Sequence, residues 1–124
     1  MIEETIRVAV ANQPRLIREL VLETIADQPG IEIVAEIENE GEIPKVVEAT
    51  HPDFLIMSLE GSNQQPALCD ILLPRYPEMK ILALAPERNV SMFFWASFDI
   101  HSRSIEASEA GILGTLRRGL LIGS

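Results

Sequence analysis

Residues 53 to 61 read DFLIMSLEG, and the run within it from Phe54 to Met57 is apolar at every position before Ser58. A strand with one wet face alternates apolar and polar residues. An unbroken apolar run, closed by Gly61, reads instead as a strand buried on both faces. Such a strand requires helices above and below it. In open sheets of that kind ligands gather at the carboxyl ends of the strands. Here that end carries a neutral hydroxyl, with no carboxylate, histidine or lysine.

The surrounding sequence supplies the partners such a strand needs. IRVAVA (6–11) reads as a first strand. NQPRLIRELVLETIADQ follows as a helix, with Leu16, Ile17, Leu20, Val21 and Ile25 at helical spacing and Arg18, Glu19 and Glu23 facing away. Pro29-Gly30 stops it, and IEIVAEI (31–37) alternates as a second strand. GEIPKVVEAT is a short helix ending before His51-Pro52, and QPALCDILLPRY (65–76) is a third, with Pro66 near its first turn. KILALA (80–85) is a fourth strand. SIEASEAGILGTLRRGL (104–120) closes the chain as a helix, glutamates early and arginines late as the dipole prefers. Alternating strands and helices predict a parallel sheet covered on both faces, a three-layer flavodoxin-like α/β fold forming a single domain over 1–124.

The segment PERNVSMFFWASFDIHSR departs from this pattern. Val90, Met92, Phe94, Ala96, Phe98 and Ile100 form an apolar period-two set, while Ser91, Phe93, Trp95, Ser97 and Asp99 are mixed. Only PERN separates it from the fourth strand, too short for the crossover a parallel neighbour needs. The expectation over 86–103 is a lost fourth helix and an antiparallel last strand. The rival reading makes 89–97 a short helix and 98–101 a stub of parallel strand. In the hairpin reading Phe93 or Trp95 would sit near solvent, and a long edge strand would invite pairing unless another chain covers it. The plainer alternative folds the closing helix back over it. Gly111 and Gly114, with Ala107, leave a small-residue groove on that helix.

Composition excludes several classes. A chain of 124 residues, 47% hydrophobic, can bury about two-thirds of its unfolded surface. No apolar run approaches the roughly 20 residues of a membrane span. The acidic start MIEETIRVAV lacks a secretory n-region, and the single Cys69 has nothing to pair with, so a cytoplasmic setting is expected. A net charge of −9 with scattered basic residues disfavours direct nucleic-acid binding. The adjacent Arg117 and Arg118 suit the end of a helix.

IRVAVANQPRLIREL, HPDFLIMSLEG and YPEMKILALA, in that order and spacing, resemble the receiver domain of bacterial response regulators over roughly residues 5 to 85 and again along the final helix. The resemblance implies strand order 2-1-3-4-5. It also implies an aspartate phosphoacceptor ending the third strand, an acidic pair holding Mg²⁺ after the first, a Ser or Thr ending the fourth and a Lys after the fifth. Those positions fall on Ser58, on Asn12 and Gln13, and on Ala85. The Lys has no match, Asp99 or His101 lying nearest. An acyl phosphate needs a carboxylate and Mg²⁺ favours anionic oxygens, so the chemistry fails at each matched step.

The expectation is therefore a pseudo-receiver: no enzyme, cofactor or metal, a two-component signalling module acting through protein–protein association, as a homodimer or with a regulatory protein partner. Phe93, Phe94, Trp95 and Phe98 would form its contact, with Arg117 and Arg118 at the rim. An alternative is a small-molecule sensor with a pocket at the ends of strands 1, 3 and 4, although residues such as Asn12 and Gln13 more often simply cap the helix that follows and satisfy the turn. A third reading, an enzyme, needs a charged or nucleophilic pair that the sequence does not place. Ser58 as a nucleophile has no base at hand. His51 and His101 lack partners at metal spacing. Cys69 reads as a buried small hydrophobe, and Glu32, Glu36, Glu38, Glu40 and Glu42 as a solvated face.

Overall fold

The computed structural model describes residues 5–59, 66–86, 90–96, 100–105 and 109–122. Strands β1 (Ile6–Ala11), β2 (Ile31–Glu36), β3 (Phe54–Ser58), β4 (Lys80–Ala85), β5 (Val90–Ala96) and β6 (Ile100–Ile105) form one sheet in the order β2-β1-β3-β4-β5-β6. The first four pair in parallel, while β4–β5 and β5–β6 are antiparallel. Helices α1 (Arg15–Ala26), α2 (Ile43–Thr50), α3 (Ala67–Leu72) and α4 (Glu109–Ile122) complete the described elements, with a 3₁₀ turn at Glu40–Glu42 before α2. The flavodoxin-like reading and the order of the first five strands agree with the sequence expectation.

Side chains alternate across each strand and divide the core in two. Leu55, Met57, Ile81 and Ala83 face α2 and α3, where Val47, Cys69 and Leu72 meet them. Phe54, Ile56, Leu82 and Leu84 face the other way, against Val21 and Ile25 of α1 and Ile112 and Leu116 of α4. All five residues of β3 are buried.

The β4–β5 hairpin excludes the short-helix reading of 89–97: Ala85 pairs with Val90 and Ile81 with Phe94. The fourth helix is replaced by strand. What the sequence missed is β6. Ser104 and Ile105 belong to that strand, and α4 begins at Glu109, not at 104. Pairing from Ala96–Ile100 to Ser91–Ile105 makes β5 an interior strand, so its backbone groups do not form the long open edge anticipated for it.

Two faces were also misread. Of Phe93 and Trp95, one of which is expected near solvent, Trp95 is half-buried; Phe93 and Phe94, both expected in an interface, are 2% and 1% exposed. Phe93 stacks on Phe54 at 6.0 Å and on Trp95 at 5.2 Å, in the cluster that holds Ile112 and Leu116. The closing helix does fold back over the hairpin. On α1, Leu16 and Leu20 point outward, 73% and 53% exposed, while Arg18 turns inward with Val21 and Ile25. The third helix stops at Leu72, short of the expected residue 76, because Pro74 has no amide hydrogen to continue the ladder. Phe98 lies outside the described residues, as do residues 60–65.

Phe93→Ala is expected to lower the unfolding free energy by about 3–5 kcal/mol, measured by urea denaturation, through the cavity left between β5 and α4. A loss below about 1 kcal/mol would mean that α4 does not seal this face.

Candidate functional site

The carboxyl edge of β1, β3 and β4 brings the matched positions together. Ala11 pairs with Met57 and Ser58 with Leu84, so Asn12, Ser58 and Ala85 end neighbouring strands. Asn12 and Ala85 are 0% and 1% exposed and Ser58 is 9%.

Ser58 is engaged from both sides. The Gln13 amide donates to Ser58 Oγ at 2.7 Å, and the hydroxyl donates back to the Gln13 carbonyl oxygen at 3.0 Å. This reciprocal pair pins the β1–α1 connection onto the end of β3. The Gln13 side chain donates from Nε2 to the Glu38 carbonyl oxygen, tying the same turn to the segment after β2. Neither Asn12 nor Gln13 caps α1, as one sequence reading allowed. Pro14 occupies the cap position without a side-chain bond, and its carbonyl accepts from Ile17 and Arg18. Among the described residues, both polar side-chain atoms of Asn12 are buried without a partner.

The one cation described beside these positions comes from α1. Arg18, 3% exposed, donates from Nε to Glu36 Oε1 at 3.1 Å and from Nη1 to the Asn12 carbonyl oxygen at 3.3 Å. Glu38 Oε1 lies 4.0 Å from Nη2. The sequence missed this contact, since Arg18 was placed on the outer face of α1. Its spacing with Val21 and Ile25 (i, i+3, i+7) is the signal that could have found it. Glu36 and Glu38, read as part of a solvated acidic face, are exposed but partner this buried guanidinium.

Other candidates fall elsewhere. His51 sits in the left-handed region at the end of α2, its ring edge-on to Tyr76. His101 lies on β6, Asp99 is outside the described residues, and so is the side chain of Arg118. Burial, with Asp70 beside it, pushes the Cys69 thiol up to about 12, which keeps it protonated and inert. Among the described residues no three of His, Cys, Asp and Glu are grouped to hold a metal, and no helix is long and apolar enough to cross a membrane.

No family model matches the chain. Over 85 residues it is 32% identical to the transcriptional regulatory protein DegU of Brevibacillus brevis, a stretch covering 67% of this chain and 36% of that protein. Its fold is similar to the signal receiver domain of the response regulator NarL from Mycobacterium tuberculosis, with a TM-score of 0.52 and 19% identity over 63% of this chain and 64% of that one. The chain thus spans little more than a third of the curated relative.

The Mg²⁺ such a fold implies does not suit this edge. Asn12, Gln13 and Ser58 offer neutral oxygens only, Ser58 is committed to Gln13, and a guanidinium already sits on the Asn12 carbonyl. Ser58→Ala is expected to cost about 1–3 kcal/mol by freeing the Gln13 backbone groups. Asn12→Leu is expected to be neutral or stabilising, since it removes a buried amide with no partner. Urea denaturation of the two variants reads both effects, and a clear loss in Asn12→Leu would reveal a partner for the amide.

Proposed function

The chain is a response-regulator receiver-like domain, and we propose that it works without phosphorylation, as a pseudo-receiver whose output is association with another protein chain. The observation that carries this reading is the reciprocal bond between Ser58 and the Gln13 backbone. Where the fold would present a carboxylate to a phosphoryl donor, this chain has a hydroxyl occupied in holding the β1–α1 turn. A seryl group cannot form the acyl phosphate, and among the described residues the Ser58 hydroxyl donates to a backbone carbonyl, with no base as its partner. Ala85 has no hydroxyl with which to follow a change at the site.

Association is the output that remains for a domain without turnover. Leu16 and Leu20 lie one turn apart and exposed on α1, which shares its face of the sheet with α4. Half-buried Trp95 packs against that same layer, and exposed Arg117 reaches Gln28 at 3.4 Å across it. Adjacent exposed apolar side chains of this kind favour a protein contact. With Phe93 and Phe94 withdrawn into the core, α1 together with Trp95 and Arg117 replaces the aromatic segment as the proposed surface. The partner is a second copy of the chain or a regulatory protein. Transcriptional regulation, in the name of the Brevibacillus relative, belongs to a protein nearly three times the span matched here. With a net charge of −9, DNA contact by this chain is not part of the proposal.

Incubation with acetyl phosphate, or with beryllofluoride and Mg²⁺, is expected to leave the mass and the amide spectrum unchanged. Saturable modification at Ser58 would overturn the reading. Sedimentation at micromolar concentration is expected to show a dimer that Leu16→Ser/Leu20→Ser weakens. A 13.8 kDa species alone would eliminate the homodimer and leave the partner to another chain.

A further inference from the structure

At the opposite, amino-terminal edge of β3 and β4 the chain forms an open cleft of about 290 Å³. Its walls are the two connections that enter those strands, residues 51–53 and 75–79, and Val47 of α2 closes it. Val47, Pro52 and Met79 are buried and give it an apolar lining.

Hydrogen bonds hold both walls; within 75–79 the Met79 amide donates to the Tyr76 carbonyl at 3.0 Å. Asp53 exchanges bonds with Arg7, accepting its amide at Oδ2 at 2.9 Å and donating its own to the Arg7 carbonyl at 2.8 Å. Arg7 Nη1 donates to the His51 carbonyl at 2.9 Å, and the Lys80 amide donates to that of Asp53 at 3.0 Å. His51 takes φ 45°, which turns the chain sharply and sets its ring edge-on to Tyr76 at 5.7 Å. The cleft is therefore formed before anything enters it.

Charges of both signs meet there. Arg75 stands over the Tyr76 ring at 5.7 Å, and its ion pair with Glu48, at 3.8 Å, is beyond hydrogen-bond reach. Among the described residues the Glu78 carboxylate has no ion pair or hydrogen bond, and Asp53 uses only Oδ2. Burial lowers the basicity of the Lys80 ammonium, which Asp53 and Glu78 partly restore, and Nζ donates to the Glu78 carbonyl at 3.1 Å. A simple anion entering this cleft meets Asp53 and Glu78, and a simple cation meets Arg75. A molecule carrying both charges close together satisfies both walls. The volume corresponds to about ten water molecules, and so to a ligand of about ten heavy atoms.

We propose that this cleft binds a free α-amino acid with an apolar side chain, its ammonium toward Asp53 and Glu78, its carboxylate toward Arg75 and its side chain on Val47, Pro52 and Met79. The site is separate from Ser58, so phosphoryl uptake there would sink the preceding reading and leave this one standing.

The test is titration of the full chain with L-leucine and with L-phenylalanine, followed by amide chemical shifts and calorimetry. Phenylacetate and phenethylamine serve as probes lacking one charge each. At least one amino acid is expected to saturate with a dissociation constant of about 1 mM or tighter, shifting residues 51–53 and 75–79, and both single-charge probes are expected to bind about tenfold more weakly. Arg75→Gln and Glu78→Gln, on exposed residues, are each expected to weaken binding about tenfold with the melting temperature unchanged. No saturable shift at the cleft with either amino acid overturns the proposal. So does equal binding of a single-charge probe, or binding indifferent to both variants.

Discussion

The backbone of β3 has no access to water on either face, and that constraint organises the rest of the molecule. Every residue from Phe54 to Ser58 is buried, so each amide and carbonyl must find its partner in β1 or β4. Parallel pairing on both sides satisfies them, and the crossovers that parallel pairing demands deliver α1 to one face and α2 and α3 to the other. The same burial puts the end of β3 beside the ends of β1 and β4. A functional edge exists there whether or not its residues can use it.

At that edge the described residues form a structural joint. Ser58 and Gln13 lock together, and Arg18 reaches under the end of β1 to Glu36 at the end of β2 and Glu38 just beyond it. The buried guanidinium is met by carboxylates of the chain itself. A cleft lies at the opposite edge, where the loops carrying His51, Asp53, Arg75 and Glu78 surround an apolar lining.

The hairpin from β4 to β6 is the other departure, and it changes what covers the sheet. A helix between β4 and β5 would have shielded one face of the strands beyond β4. With that helix gone, the sheet is extended by a strand pair that carries its own large side chains inward, Phe94 to one face and Phe93 to the other. The α4 helix then seals Phe93, which is why an aromatic-rich segment reads as a sticky surface in one dimension and forms core in three.

The first five strands were legible because uninterrupted or alternating apolar runs, bounded by Pro and Gly, have few other ways to be buried. The short PERN link favoured an antiparallel neighbour over the rival short helix, and the residues at positions 12, 13, 58 and 85 already lacked the charge for phosphoryl chemistry. What the sequence left open turned on rotation and coverage. Arg18 and Leu20 are two residues apart on one helix, and only the packing of α1 against β1 and β2 decides which turns inward. Ser104 and Ile105 continue a polar pattern that fits helix or strand alike, and the unpaired edge of β5 settles them as strand. Local patterning thus determined the first five strands and what the matched site positions lack. Long-range packing decided which faces stay wet, because burial depends on neighbours remote in the chain.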